Sequence, residues 1–140
     1  MSGPIRVLFV CTHNSARSQM AEGWLRQLAG DRYEVHSAGT EATRVRPLAV
    51  RAMAEAGVDI AGHASKTLDR YLGEPWDYVV TVCDDANEAC PYFPADRQLH
   101  WAFDDPAAAN GGEDQRLEIF RRVRDEIAAK IRAVLVDGTG

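Results

Sequence analysis

Hydrophobic positions along the chain change period several times, and each change predicts an element. Ile5–Cys11 (IRVLFVC) is a short, β-branched run of the kind that fills a parallel strand buried on both faces. From Ala16 a helical period takes over: Ala21, Trp24, Leu25 and Leu28 fall at i, i+3, i+4 and i+7, and Gly30 supplies the C-cap. Residues 33–38 predict a second strand. Pro47 then starts a helix whose Val50, Met53 and Ala54 share a face before Gly57 stops it. Residues 77–83 (DYVVTVC) read as a third strand and residues 98–103 (QLHWAF) as a fourth. A last helix over residues 113–136 carries Phe120, Val123, Ile127, Ile131 and Val134 on one face, with acids leading its first turn. This alternation predicts an α/β fold, a parallel sheet covered by helices on both faces and joined by right-handed crossovers. Residues 105–114 (DPAAANGGED), rich in Gly and Ala, are the candidate for mobile chain.

Composition narrows the classes. At 140 residues and 46% hydrophobic content, residues 1–140 are expected to form one domain that buries about two-thirds of its unfolded surface. The apolar run before Cys11 is short and preceded by Arg6, so neither a signal peptide nor a membrane span is read, and a cytoplasmic location is expected. The net charge is −5, and the arginines of the last helix alternate with acids, which argues against nucleic acid as a partner. Three cysteines, Cys11, Cys83 and Cys90, are an odd number for a disulfide framework. No close CxxC pair exists and the four histidines are scattered, so no metal site is read. Thiol chemistry remains.

Cys11 and Arg17 have the spacing Cys-x5-Arg, which alone carries little weight among 14 arginines in 140 residues. Its context carries more. A strand ending in Cys11 and a helix beginning near Ala16 enclose a loop, Thr12, His13, Asn14, Ser15, Ala16, Arg17 and Ser18, whose backbone N–H groups can converge on one tetrahedral anion. Arg17 can grip two oxygens of that anion bidentately. The same helix terminus and guanidinium favour thiolate over thiol at Cys11, and Ser18 can add a hydrogen bond. A left-handed Asn14 would help to wrap the loop, although Asn14 also serves as an ordinary turn residue and His13 as a plain loop residue. Against all this stands Cys11 as a small buried hydrophobe at a strand end.

CTHNSARSQMAEG (residues 11–23), HSAGT (36–40), CDDANEAC (83–90) and FDDPA (103–107) together resemble the thioredoxin-coupled arsenate reductases, built on the low-molecular-weight protein tyrosine phosphatase fold. The resemblance covers essentially the whole chain. It implies a four-stranded parallel sheet of order 2-1-3-4, with the strands ending in Cys11 and Cys83 as neighbours. It also implies Cys11 as nucleophile, Arg17 as oxyanion clamp, Asp105 as general acid, and Cys83 and Cys90 as redox cysteines. The implied activity is reduction of arsenate to arsenite in arsenic detoxification, by a disulfide cascade. No bound cofactor is expected, with thioredoxin as the implied external reductant, and a monomer is expected. Independently, Cys11, Cys83 and Asp105 all follow predicted strand ends, where open α/β sheets bind ligands.

Two other functions fit parts of the pattern. A low-molecular-weight phosphatase would use Cys11, Arg17 and Asp105 alike but have no need of Cys83 and Cys90. Such phosphatases usually place a tyrosine after the acid and proline, whereas Ala107 and Ala108 follow here, so only a weak phosphatase side activity is expected. An anion-binding or redox-sensing module would carry a reactive Cys11 without turnover. Relatives that bind potassium use residues resembling Asn14, Glu22 and Ser37 with an acid near position 66. That position is Lys66, either an ammonium in the cation's place or a solvated surface lysine. Finally, residues 84–88 look like an acid-led helix start. A helix would hold Cys83 and Cys90 on the order of 10 Å apart, beyond the roughly 7 Å a disulfide tolerates, so oxidation is expected to unwind the segment.

Overall fold

The computed structural model describes residues 4–83 and 93–137. Four strands, β1 (Ile5–Cys11), β2 (Tyr33–Gly39), β3 (Tyr78–Thr81) and β4 (Arg97–His100), form one sheet in the order β2-β1-β3-β4. Every pairing is parallel, and the strand order is the one expected from the sequence. β1 occupies the centre because Val7 to Val10 are apolar on both faces: none is exposed. Val7, Phe9 and Cys11 face a core shared with three helices, α1 (Arg17–Ala29), α2 (Pro47–Glu55) and α3 (Glu113–Ile131). Leu8 and Val10 face a smaller cluster built from Val79, Phe93, Trp76 and Tyr71, the last on a single 3-10 turn, Leu68–Tyr71.

Several boundaries differ from the sequence pattern, each for a local reason. β3 ends at Thr81, but Val82 still donates to Val10 O (2.9 Å), so the apolar run through Cys83 continues beside β1 without a full ladder. β4 begins one residue early and stops at His100, and Trp101 N still bonds Thr81 O. On α2 the buried stripe is Leu48, Ala49, Ala52 and Met53, while Ala54 is exposed. α3 passes at Arg132–Val136 into a wider turn closed by Asp137 N to Arg132 O. One extra residue per turn rotates the face, so Leu135 takes the fully buried position and Val134 is only partly covered. Gly30 does cap α1, but in right-handed conformation (φ −64°).

The carboxyl ends of β1 and β3 therefore lie side by side, with α1 leaving directly from the β1 end. Residues 105–114 contain one 3-10 turn, Pro106–Ala108, before α3 begins. The helix start expected over residues 84–88, and Cys90 itself, lie outside the described residues.

The α3 face holds the helices to the sheet, and Ile127 at its middle is completely buried. Ile127→Ala should cost about 2–5 kcal/mol, measured as a lower urea midpoint at unchanged slope. A loss below about 1 kcal/mol would contradict the assigned packing.

Candidate active site

The turn from β1 into α1 is wrapped around Cys11, and its shape follows from where its carbonyls go. Thr12 O accepts from Glu41 N and Thr40 Oγ1, both at 3.0 Å. His13 O accepts from Ser65 Oγ (3.1 Å) and Thr43 Oγ1 (3.3 Å), Asn14 O from Gln19 Nε2 (3.2 Å), and Ser15 O from Arg46 N (2.8 Å). In a trans peptide the N–H points opposite to the C=O, and no peptide bond here is cis. Four carbonyls drawn outward thus turn the amides of His13, Asn14, Ser15 and Ala16 inward. No side chain caps α1, which leaves its positive end to the same concavity.

Asn14 makes this bend possible. It adopts φ +48°, as the expected left-handed residue does, and is fully buried. Its Oδ1 accepts from Lys66 N (2.8 Å) and Gln19 Nε2 (2.9 Å). Its Nδ2 donates to Ser18 Oγ (2.8 Å) and Ser37 Oγ (3.0 Å). Ser18 Oγ in turn lies 2.9 Å from Cys11 Sγ, the contact anticipated from sequence. A position that sequence reasoning passed over is Gly39, at the end of β2. A Cβ there would sit 2.6 Å from Thr12 O, 2.8 Å from Asn14 N and 2.9 Å from Cys11 O, so the loop can pack only against glycine.

Arg17 is buried, at 3% exposure. Its NH1 donates to Phe103 O (3.2 Å) and its NH2 lies 3.7 Å from Asp105 Oδ2. The guanidinium is therefore tied to the segment that carries Asp105. Asp105 itself caps the Pro106–Ala108 turn, its Oδ1 accepting from Ala107 N (3.0 Å), and its side chain keeps 29% exposure. Asp104 points elsewhere, to Arg122 NH2 on α3 (2.9 Å). The structure thus brings Asp105, and not Asp104, to the loop. Cys11 and Cys83 are both buried thiols, and Cys83 Sγ is 4.0 Å from the carbonyl oxygen of Val10, the residue before Cys11.

Behind the loop lies a charge cluster centred on the buried Glu22, which the sequence revealed only in part. Glu22, almost fully buried, accepts from Ser37 Oγ and pairs with Arg26 NH2 (2.8 Å). Lys66 Nζ is 3.8 Å from Glu22 Oε1 and donates to Ala64 O (2.6 Å), with only 11% of its side chain exposed. Lys66 is therefore an ammonium beside Glu22 and not a solvated surface lysine. Burial lowers its pKa, and the Glu22 carboxylate opposes that shift. His63 completes the group: Arg26 NH1 lies 3.3 Å from its Nε2, and its Nδ1 lies 3.1 Å from Gln19 Oε1. Because the guanidinium can only donate, Nε2 accepts and Nδ1 carries the proton of a neutral ring.

Chemically, the arrangement offers a thiol at the base of an amide-lined concavity, a fixed guanidinium, a half-exposed carboxyl and a second thiol on the neighbouring strand end. The profile described as low molecular weight phosphotyrosine protein phosphatase matches residues 6–137. An arsenate reductase of Halalkalibacterium halodurans is 47% identical over 133 residues, which cover 94% of this chain and 96% of that protein. A solved arsenate reductase in the phosphate binding state aligns with a TM-score of 0.81 at 31% identity, over 96% of this chain and 99% of the other. A thioredoxin-dependent arsenate reductase of Corynebacterium glutamicum aligns with a TM-score of 0.68 at 32% identity, over 96% of this chain and 64% of that one.

The cluster behind the loop gives a pH prediction. Burial holds the His63 pKa below its ordinary 6.5, with Arg26 and Lys66 adding to the depression and Glu22 and Asp59 opposing it. The unfolded chain takes up this proton near pH 6.5, so the contribution of neutral His63 is complete above 6.5 and is lost as pH falls toward the folded-state value. His63→Gln should flatten the decline of the urea midpoint on acidification below pH 6.5. An identical decline in both proteins would contradict the neutral, buried ring.

Proposed function

The chain belongs to the low molecular weight phosphotyrosine protein phosphatase family, and we propose that within it this protein reduces arsenate to arsenite. The observation that carries the reading is the pair of buried thiols at adjacent strand ends, with Cys83 Sγ against the carbonyl of Val10. A phosphatase resolves its cysteine intermediate with water and has no use for Cys83.

In the proposed reaction the Cys11 thiolate attacks arsenic while Arg17 and the amides from Thr12 to Ser18 hold the equatorial oxygens. Asp105 delivers a proton to the departing oxygen, which leaves as water. Cys83 then attacks the Cys11 sulfur, and the S–As bond breaks with its electron pair passing to arsenic. Arsenic falls from the +5 to the +3 state and leaves as arsenite, while the two thiols become a Cys11–Cys83 disulfide. Cys90, outside the described residues, attacks Cys83 and frees Cys11. The dithiol of thioredoxin reduces the resulting Cys83–Cys90 bond by exchange. No bound cofactor enters the cycle, and its dependence on reduced thiols suits a cytoplasmic setting.

Steady-state assay with thioredoxin, thioredoxin reductase and NADPH tests this directly. One NADPH should be consumed per arsenite. Cys11→Ser and Cys83→Ser should each abolish turnover, and Asp105→Asn should slow it by about 10²–10⁴-fold, the usual contribution of a positioned acid. Turnover of an aryl phosphate at a comparable rate, with Cys83→Ser fully active, would instead establish a phosphatase.

A further inference from the structure

Besides Arg17, which lies near Asp105, five of the 14 arginines in this acidic chain pair with carboxylates among the described residues. Arg6 pairs with Glu34 and Glu74, Arg26 with Glu22, Arg121 with Glu55 and Glu118, Arg122 with Asp104 and Glu126, and Arg124 with Glu55 and Asp125. Of the arginines outside these pairs, three converge. Among the described residues Arg44, Arg46 and Arg116 form no ion pair, yet all three line one cleft of about 230 Å³. Its floor is Leu48 and Phe120, and its single acid is Glu113, so the positive groups outnumber the negative three to one.

The cleft adjoins the oxyanion loop. Arg46 N is the donor to Ser15 O (2.8 Å), and Thr43 Oγ1, one residue before Arg44, bonds His13 O (3.3 Å). Unpaired guanidinium groups are forks for tetrahedral oxyanions. An apolar floor focuses their field, since low-dielectric walls raise the local concentration of a counter-ion. On a chain with net charge −5, a doubly charged anion is otherwise repelled on approach.

We infer that the Arg44–Arg46–Arg116 cleft is an outer anion subsite, which captures the tetrahedral oxyanion substrate beside the loop before Arg17 and the loop amides take it. This rests on the proposed reaction for the identity of the substrate, but only on charge and placement for the anion itself. The subsite acts on capture, so its contribution belongs to kcat/KM and is screened by salt, with a Debye length near 8 Å at physiological ionic strength.

Two readouts test it on the triple variant Arg44→Gln/Arg46→Gln/Arg116→Gln. One is kcat/KM for arsenate at low and high ionic strength. The other needs no turnover: the phosphate concentration that half-protects Cys11 from alkylation by iodoacetamide. At low salt kcat/KM should fall about tenfold or more, the range of electrostatic steering, and the half-protecting phosphate concentration should rise. Both differences should shrink at high salt, and lysine at the same three positions should restore most of each. A control of equal charge change, Arg51→Gln/Arg70→Gln/Arg97→Gln, should move both readouts far less. Unchanged phosphate protection, a loss that persists at high salt, or an equal loss in the control would each overturn the subsite. Absence of arsenate reduction in the unmodified protein would overturn the proposed function, while the phosphate readout would still decide the subsite.

Discussion

Everything at the site depends on the outward pull on four consecutive carbonyls. A loop of small residues has no reason of its own to point its amides at one spot. Here Thr12, His13, Asn14 and Ser15 are each bonded from outside, by the segment after β2, by Ser65 and by Gln19. The amides are aimed inward before any anion arrives, which is the form of preorganisation that electrostatic stabilisation of a developing oxyanion requires. Gly39 admits this arrangement by having no side chain, and the left-handed Asn14 fixes its bend.

The charge cluster behind the loop extends the same constraint. Lys66, through its backbone N–H, and Gln19 both hold Asn14 Oδ1, and Ser37 links Asn14 to Glu22. Isolated buried charges are expensive, but Glu22 is met by Arg26, Lys66 and a serine hydroxyl, and no buried polar side-chain atom among the described residues lacks a partner. The charged network and the nucleophile are thus joined by a chain of short bonds: Glu22, Ser37, Asn14, Ser18 and Cys11. The thiol is positioned by residues spread from β1 to the segment before the first 3-10 turn.

Much of this was legible in sequence because it is local. A β-branched run, a cysteine, polar small residues and a helical period specify strand, loop and helix without reference to the rest of the chain. The family resemblance supplied the strand order and singled out Asp105. What stayed hidden depends on distant partners. Gly39 reads as one glycine among 11 until the loop is laid against it. Asp104 and Asp105 are neighbours with equal side chains, and the fold separates them by giving the first to Arg122 and the second to Arg17 and Ala107 N. The exchange of Val134 for Leu135 follows from one widened turn that periodicity cannot register. Arg44, Arg46 and Arg116 look ordinary in a chain with 14 arginines, because lacking a partner is a property of the fold.

The central claim is that the second thiol, and not water, resolves the intermediate on Cys11. Reduced protein mixed with one equivalent of arsenate, with no reductant present, tests it most directly, by counting arsenite and free thiols and mapping the bridged cysteines by mass spectrometry. The account predicts one arsenite and the loss of two thiols per chain, with Cys83 in the bridge. An unchanged thiol count, or a bridge that excludes Cys83, would contradict it.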